Sequence, residues 1–312
     1  MIEAAERADP LQRRFWTKLQ AAWETVRVSR KFLVSGSILL ALAVIAICAP
    51  LIAPYHYDLQ DYSHIRSKSS LNYWLGTDLL GRDVLSRMIY GTRVSVSVGV
   101  IVTFLEALIG VFLGLLSGYY GGRIDQIVQR AADVTFAFPP LLFAIMIISA
   151  LGPSLLNILL ALTVVGWPEM TRLVRAQVLS LREKEFVEAA RASGGSKSRI
   201  IFRYILPNTV NSILVQSSMK IGRVIISEAT LSFLGIGIQP PMPSWGSMIN
   251  QHYEYMRTDP QLVLIPGIGL VIIVLAFNFA GEGLRDALDP QTSRFLKGKR
   301  IKEIMEKKEA GV

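Results

Sequence analysis

The sequence predicts an all-α integral membrane protein, on three observations. Apolar residues make up 51% of the 312 residues, and the mean hydropathy of +0.41 exceeds that of an ordinary soluble domain. The apolar residues form long runs with few or no charges, and about 20 such residues cross a bilayer as one helix. Because these runs do not alternate between apolar and polar residues, helices are favoured over a membrane barrel.

The apolar runs predict six membrane helices. The longest uncharged run, 134–168, is too long for one crossing and is interrupted by Gly152 and Pro153, so it predicts a hairpin of two helices. The run 209–235 is apolar but contains three charged residues. The predicted spans are residues 32–54 (an anchor helix), 94–118, 134–151, 154–171, 209–235 and 261–281.

The basic residues predict the orientation of the chain. Lysine and arginine concentrate in the N-terminal segment 1–31, in the loop 172–208 and in the tail 282–312. With six spans these three regions lie on one side, which the positive-inside rule makes the cytoplasm. Residues 55–93 then form an extracytoplasmic segment before the core 94–281. The net charge of +9 is assigned to contact with anionic membrane lipid, because the basic stretches lack the interleaved aromatic residues of a nucleic-acid site.

Two extracytoplasmic regions carry local signals. Residues 83–90 predict a short interfacial helix that leads into the second span. The segment 235–260 is rich in glycine and proline, which predicts a stiff connection. Trp245 and Tyr253 within it are expected at the lipid headgroup layer.

The cytoplasmic loop contains a helix, two glycines, a second helix and a proline. Ser180 followed by Glu183 fits a capping box that starts a helix at Leu181. The pair Gly194–Gly195 ends that helix, since glycine readily adopts the left-handed conformation of a helix terminus. A second short helix is predicted over Ser198–Pro207. This pattern predicts a short cytoplasmic helix that is connected to the membrane through a sharp turn.

The first loop helix has a surface that another protein could approach closely. Ala189 and Ala190 are small, and Glu188 offers a carboxylate among many basic groups. Spacing alone equally fits a plain amphipathic surface helix that ends at a glycine.

Charged residues of the second and fifth predicted spans would each be costly facing lipid. These residues are Glu106, Lys220, Arg223 and Glu228. They could line a translocation path across the membrane. Mutual ion pairing that joins two helices explains them equally well. Glycines at 110, 114 and 118 recur on one face of the second span and predict close helix packing.

Six stretches together resemble the dipeptide and oligopeptide permease family of ATP-binding-cassette importers, and specifically its C-type subunits. The EAA loop of that family is matched by Glu188, Ala189, Ala190, Gly194, Gly195, Leu206 and Pro207. The other five stretches are LGTDLLGRDVLSR (75–87), SGYYGG (117–122), FPPLL (138–142), LSFLGIGIQPPMPSWGSM (231–248) and LAFNFAGEGLRDALDP (275–290).

The resemblance implies a type I (MetI-like) importer permease in a bacterial or archaeal cytoplasmic membrane. It implies a homologous B-type permease partner, two cytoplasmic ATPase subunits that couple through the EAA loop, and an extracytoplasmic peptide-binding protein. Nickel and glutathione importers have similar motifs, so they remain alternatives to peptides. The two ends of the chain, before residue 25 and after Pro290, are not covered by the resemblance.

The sequence predicts no catalytic, cofactor or metal site in this chain. It contains no G-x-x-x-x-G-K-[ST] loop, so ATP and Mg²⁺ are expected on the partner ATPases. Its three histidines are isolated, which argues against a metal cluster. An alternative of another class is a carrier driven by an ion gradient, which would use the four intramembrane charges for coupling. A purely structural membrane scaffold is a third alternative.

Overall fold

The computed structural model of the protein describes residues 30–288. These residues form helices and connecting turns without a β-strand, as the sequence predicts. Most of the N-terminal segment 1–31 and the tail beyond residue 288 lie outside the described residues. The helices are α1 (Arg30–Ile47), α2 (Ala49–Ile52), α3 (Val84–Tyr120), α4 (Gly122–Phe136), α5 (Pro140–Leu151), α6 (Leu155–Leu181), α7 (Glu185–Ala192), α8 (Lys197–Ile200), α9 (Leu206–Phe233), α10 (Trp245–His252) and α11 (Gln261–Leu288).

Two of the described helices, α3 and α11, are long and apolar enough to cross a membrane by themselves. The bent pair α4 and α5, whose axes meet at 88°, could supply a third crossing. Helices α6 and α9 overlap the predicted spans 154–171 and 209–235. The count of six spans and the cytoplasmic position of both termini therefore remain predictions.

The predicted helix 134–151 is wrong at its start. Residues up to Phe136 belong to α4, and α5 begins only at Pro140. A residue that precedes a proline is sterically disfavoured in helical conformation, so the pair Pro139 and Pro140 separates the two helices. The predicted interruption at Gly152 is confirmed, because α5 ends at Leu151 and Gly152 has a φ of +88°.

Helices α3 and α6 pack closely through the predicted glycine face. A Cβ atom added to Gly110 would lie 2.5 Å from the Cβ of Met170, and one on Gly118 would lie 2.7 Å from the Cβ of Val178. Both distances are shorter than a normal van der Waals contact. Glycine is therefore required at these positions for the backbones to approach this closely, and the partner helix belongs to the same chain.

Helix α3 is capped by Asp83. The carboxylate of Asp83 accepts a hydrogen bond from the backbone N–H of Ser86 at 2.8 Å, which stabilises the first turn. The predicted short interfacial helix 83–90 is not separate, because α3 runs without a break for 37 residues. At 1.5 Å per residue this is about 55 Å, so α3 extends well beyond the ~30 Å hydrocarbon layer.

Trp245 is a core residue, and its predicted place at the headgroup layer is wrong. Its side chain is 2% exposed, and its indole N–H donates to the carbonyl of Met88 at 3.1 Å. A Cβ added to Gly91 would lie 2.9 Å from the indole ring. The ring thus fills the space over a glycine of α3. Tyr253, by contrast, is 50% exposed.

Side-chain contacts join residues 55–83 to residues 251–259. The Nε of Arg82 donates to the buried carboxylate of Asp78 at 2.7 Å, and its Nη2 donates to Gln251 at 3.0 Å. Closer to the surface, Arg66 pairs with Asp259, and its hydrogen bonds lower the pKa of Asp259. The contacts to Gln251 and Asp259 connect residues 169 and 193 positions apart, and they hold together the two segments that the sequence predicts to be extracytoplasmic.

Replacing Gly114 with leucine should weaken the packing of α3 on α6. A Cβ at Gly114 would lie 2.7 Å from the Cβ of Val174 and 2.8 Å from the carbonyl oxygen of Thr171. Overpacking of this kind costs about 1–3 kcal/mol, so we expect a lower melting temperature for the purified protein in detergent. Gly267→Leu is the matched control, because no atom lies within 4 Å of a Cβ at Gly267. Equal melting temperatures for Gly114→Leu and wild type would contradict the packing.

Candidate functional site: the loop helix α7 and the charged residues between helices

The first loop helix begins later than predicted. Ser180 lies inside α6, which runs to Leu181, and α7 begins at Glu185. Lys184 is the residue before α7, and no side chain caps the helix start. The predicted capping box of Ser180 and Glu183 is therefore wrong, because the preceding helix continues through Ser180 for one more residue.

The glycine pair ends α7 as predicted. Gly194 has a φ of +76°, which is the left-handed conformation that glycine adopts without steric cost. The N–H of Gly195 bonds to the carbonyl of Ala190 and the N–H of Gly194 bonds to that of Arg191, both at 3.0 Å. This bond pattern is the Schellman motif, which satisfies carbonyls at a helix end.

Helix α7 is anchored by one face and exposed on the other. Val187 is fully buried and belongs to an apolar cluster with Val178 of α6 and Ile201. Ala190 packs partly against the same cluster. Glu188 and Ala189 are exposed. The side chains proposed to meet another protein are thus presented by a helix whose orientation is fixed by Val187.

Pro207 changes the type of helix that leads into α9. Proline has no backbone N–H, so the carbonyl of Arg203 lacks its usual donor four residues ahead. Residues Ile201–Ile205 form a π-helical turn, in which the N–H of Leu206 bonds to the carbonyl of Ile201. Leu206 and Pro207 are the first residues of α9. The helix therefore continues through Pro207, whereas the sequence predicted that a separate helix ends there.

Four charged side chains meet between α3, α6 and α9, and we call them the charge cluster: Glu106, Glu169, Lys220 and Arg223. The Nζ of Lys220 lies 2.9 Å from Oε2 of Glu106 and 3.2 Å from Oε2 of Glu169. The Nη2 of Arg223 lies 2.9 Å from Oε1 of Glu169. Lys220 and Glu106 are 6% and 2% exposed, whereas Arg223 and Glu169 are 56% and 38% exposed.

Because Gly166 has no side chain, the carboxylate of Glu106 can pack directly against the backbone of α6. A Cβ on Gly166 would lie 1.6 Å from Oε1 of Glu106, so no other residue fits there without moving the carboxylate. The carbonyl of Gly166 also accepts a hydrogen bond from Nζ of Lys220 at 2.7 Å. The sequence analysis missed Glu169, although it directly follows the uncharged run that ends at Pro168.

Glu228 lies apart from the charge cluster. Its side chain is fully buried and accepts hydrogen bonds from the hydroxyls of Ser232 at 2.7 Å and Ser95 at 3.3 Å. Within residues 32–288, no basic side chain lies at ion-pair distance from it. Of the four predicted intramembrane charges, the structure therefore brings together three and leaves Glu228 in a separate hydroxyl pocket between α3 and α9.

Comparison with known proteins identifies the family. Residues 110–294 match the family described as binding-protein-dependent transport system inner membrane component. This chain belongs to that family. Residues 17–71 also match the N-terminal transmembrane domain of oligopeptide transport permease C. The protein is therefore a membrane-embedded permease subunit, as the sequence motifs predict, and its place is the bacterial inner membrane.

Individual permeases resemble this chain over most of its length. It is 42% identical over 270 residues to the dipeptide transport system permease protein DppC of Alkalihalophilus pseudofirmus, covering 86% of this chain and 89% of the relative. It is 43% identical over 258 residues to the glutathione transport system permease protein GsiD of Pectobacterium atrosepticum, covering 82% of this chain and 86% of the relative.

A solved structure shows the same fold. The MetNI methionine ABC transporter in an inward-facing conformation superposes on this permease with a TM-score of 0.55 and 19% sequence identity. The match covers 65% of this chain and 96% of that one. The type I ABC importer fold predicted from the sequence is thus confirmed for the permease.

Removing one member of the buried pair Lys220 and Glu106 should destabilise the permease strongly. Lys220→Met leaves the buried carboxylate of Glu106 without its cation, which typically costs about 3–5 kcal/mol. The double variant Lys220→Met/Glu106→Gln should regain much of that loss, because the uncompensated charge is gone. Unfolding in a mild detergent series measures the stability of wild type, Lys220→Met, Glu106→Gln and the double variant. Additive losses from the two single substitutions would show that the two side chains are not coupled.

Proposed function

We propose that this permease imports di- and oligopeptides by alternating access in an ATP-driven complex. The complex contains a homologous B-type permease, two cytoplasmic ATPase subunits that bind ATP and Mg²⁺, and an extracytoplasmic peptide-binding protein. The dipeptide permease at 42% identity supports the substrate class. The fold shared with an ABC importer permease supports the mechanism. This chain contributes no nucleotide site, and its part is to convert motion of the ATPases into motion of α6 and α9.

The observation that carries this proposal is the geometry of α7. One face of the helix is fixed by Val187 in the core, and the other leaves Glu188 and Ala189 exposed. The predicted orientation places that exposed face in the cytoplasm. A helix with one face buried in its own subunit and the other face exposed can be pushed by a partner without being displaced from its own subunit. We therefore assign ATPase coupling to α7 and to the turn at Gly194–Gly195, which together we call the coupling segment. Leu206 and Pro207 join this segment to α9.

Glutathione import is the second candidate, because a glutathione permease matches this chain at 43% identity. Glutathione is itself a small peptide with free charged termini, so the same translocation path would suit both substrates. Nickel, the third ligand implied by the sequence motifs, has no comparable support from the relatives reported above.

Reversing the charge of Glu188 should uncouple the transporter. Glu188→Lys alters the exposed face of α7 and leaves its buried anchor intact, so the subunit should insert and assemble normally. In the complete transporter reconstituted in lipid, we expect loss of the ATP hydrolysis that the ligand-loaded binding protein stimulates, and loss of peptide uptake.

Glu183→Lys is the matched control, since Glu183 is equally exposed but lies before α7. It should retain stimulation. Normal stimulation and uptake by Glu188→Lys would refute the assignment of coupling to α7, while leaving the family membership untouched.

We further propose that the exposed half of the charge cluster lines the translocation path. Arg223 and Glu169 are 56% and 38% exposed, and a charged side chain in a membrane helix must face water or protein rather than lipid. The guanidinium of Arg223 suits a peptide carboxylate, and the carboxylate of Glu169 suits a peptide amine. Glu106 and Lys220 then position this pair from the buried side. Glu228, buried among hydroxyls, is proposed only to support the packing of α9.

Arg223→Gln should reduce uptake of a dipeptide with a free carboxylate by about tenfold, since a hydrogen bond to a charged group contributes about 1.5–3 kcal/mol. Uptake of the same dipeptide with an amidated C-terminus should be low in wild type and unaffected by the substitution. Labelled peptide uptake into proteoliposomes measures both, and unlabelled glutathione as competitor decides between the two candidate substrates.

Arg172→Gln is the control, because Arg172 is 46% exposed and also ion-paired, to Asp133 at 2.6 Å. It should leave uptake of the free dipeptide unchanged. Equal loss for the free and the amidated dipeptide in Arg223→Gln would show that Arg223 does not contact the carboxylate.

A further inference from the structure

A lateral groove lies between α3 and the π-helical turn that leads into α9. Its volume is about 480 Å³ and its lining is almost entirely apolar. Phe104, Leu108 and Phe112 of α3 form one wall, and Ile201 and Phe202 form part of the other. Three of these side chains, Phe104, Phe112 and Phe202, are about 60% exposed. The groove is therefore open to the side, where the predicted orientation places the lipid of the cytoplasmic leaflet.

The groove has the length of a lipid chain. It follows α3 from Phe104 to Tyr120, which at 1.5 Å per residue is about 24 Å along the helix axis. The cytoplasmic half of the hydrocarbon layer is about 15 Å thick. An extended acyl chain that enters beside Tyr120 can thus lie in the groove through the whole cytoplasmic half of the hydrocarbon layer.

The end of the groove near the cytoplasm is positively charged. The ammonium of Lys197 lies 5.5 Å from the ring centroid of Tyr120, which lines the groove. Ser198 lines the same end with a hydroxyl group. Within residues 32–288, neither Lys197 nor its neighbour Arg199 has a carboxylate at ion-pair distance. A phosphate group at this end would supply the missing counter-charge.

We propose that this groove binds one anionic phospholipid. An acyl chain fills the apolar groove along α3, and the phosphate lies at Lys197 and Ser198. The lipid then contacts Ile201 and Phe202, the turn that joins the coupling segment to α9. The site depends on the predicted orientation and is independent of which substrate is transported.

The test is a count of bound lipids. The complete transporter is incubated with an equal mixture of phosphatidylglycerol and phosphatidylcholine in mild detergent, and native mass spectrometry counts the lipids that remain bound. Ala107→Trp places a large ring in the groove, since Ala107 lines it. We expect this variant to retain one phosphatidylglycerol fewer than wild type. Ile109→Trp is the matched control on the same helix, because Ile109 is exposed and does not line the groove.

A second variant tests the charged end without altering the apolar packing. Lys197→Ala should lower the preference for phosphatidylglycerol over phosphatidylcholine by about fivefold, as expected for one basic side chain near an anionic headgroup. Lys184→Ala, another exposed lysine of the loop, should leave the preference unchanged. Equal lipid counts in Ala107→Trp and Ile109→Trp would overturn the site. So would a cross-link from Phe112→Cys to the partner permease, which would show that a protein helix covers the groove.

Discussion

The close contact between α3 and α6 is the constraint on which the other parts of the permease depend. Glycines at positions 110, 114 and 118 let the two backbones approach until a Cβ would overlap its neighbour. The same approach brings Glu106 against the bare backbone of Gly166 and within reach of Lys220. A larger separation would leave a carboxylate inside the membrane without its cation, and in lipid no water can take the place of that cation.

The two halves of the charge cluster differ in burial. The buried half is part of the helix packing, and the exposed, outer half is the part that we propose contacts substrate. The buried half, Glu106 and Lys220, is enclosed by protein on all sides. The intact pair therefore has a small net effect on stability. Removing only one of the two side chains is costly, because the other charge is then left buried and unpaired. The outer half, Glu169 and Arg223, is partly open. Exposed pairs of this kind exchange partners at low cost. A charged substrate can therefore compete for the outer half without disturbing the contact that holds the helices together.

Much of this arrangement was predictable from local rules, and the errors have physical causes. The Gly194 turn and the break at Gly152 depend on a few neighbouring residues, so the sequence predicts them. Glu169 was missed because it follows the uncharged run 134–168 and lies close to the end of the predicted span 154–171, where a charged side chain can reach the membrane surface. Trp245 was placed at the lipid headgroups because aromatic residues often lie there. Its burial depends on contacts with α3 from more than 150 residues away, which no local pattern records.

The two attachments of the coupling segment explain how a push on α7 can reach the charge cluster. Val187 packs on Val178 of α6, and Glu169 lies nine residues before Val178 on the same helix, about 14 Å along its axis. On the other side, the helix runs through the π turn and Pro207 into α9, which carries Arg223. Because α6 and α9 are attached to α7 through different contacts, the coupling that we propose predicts that tilting α7 changes the separation of Glu169 and Arg223. A motion that opens this pair would expose both charges at once.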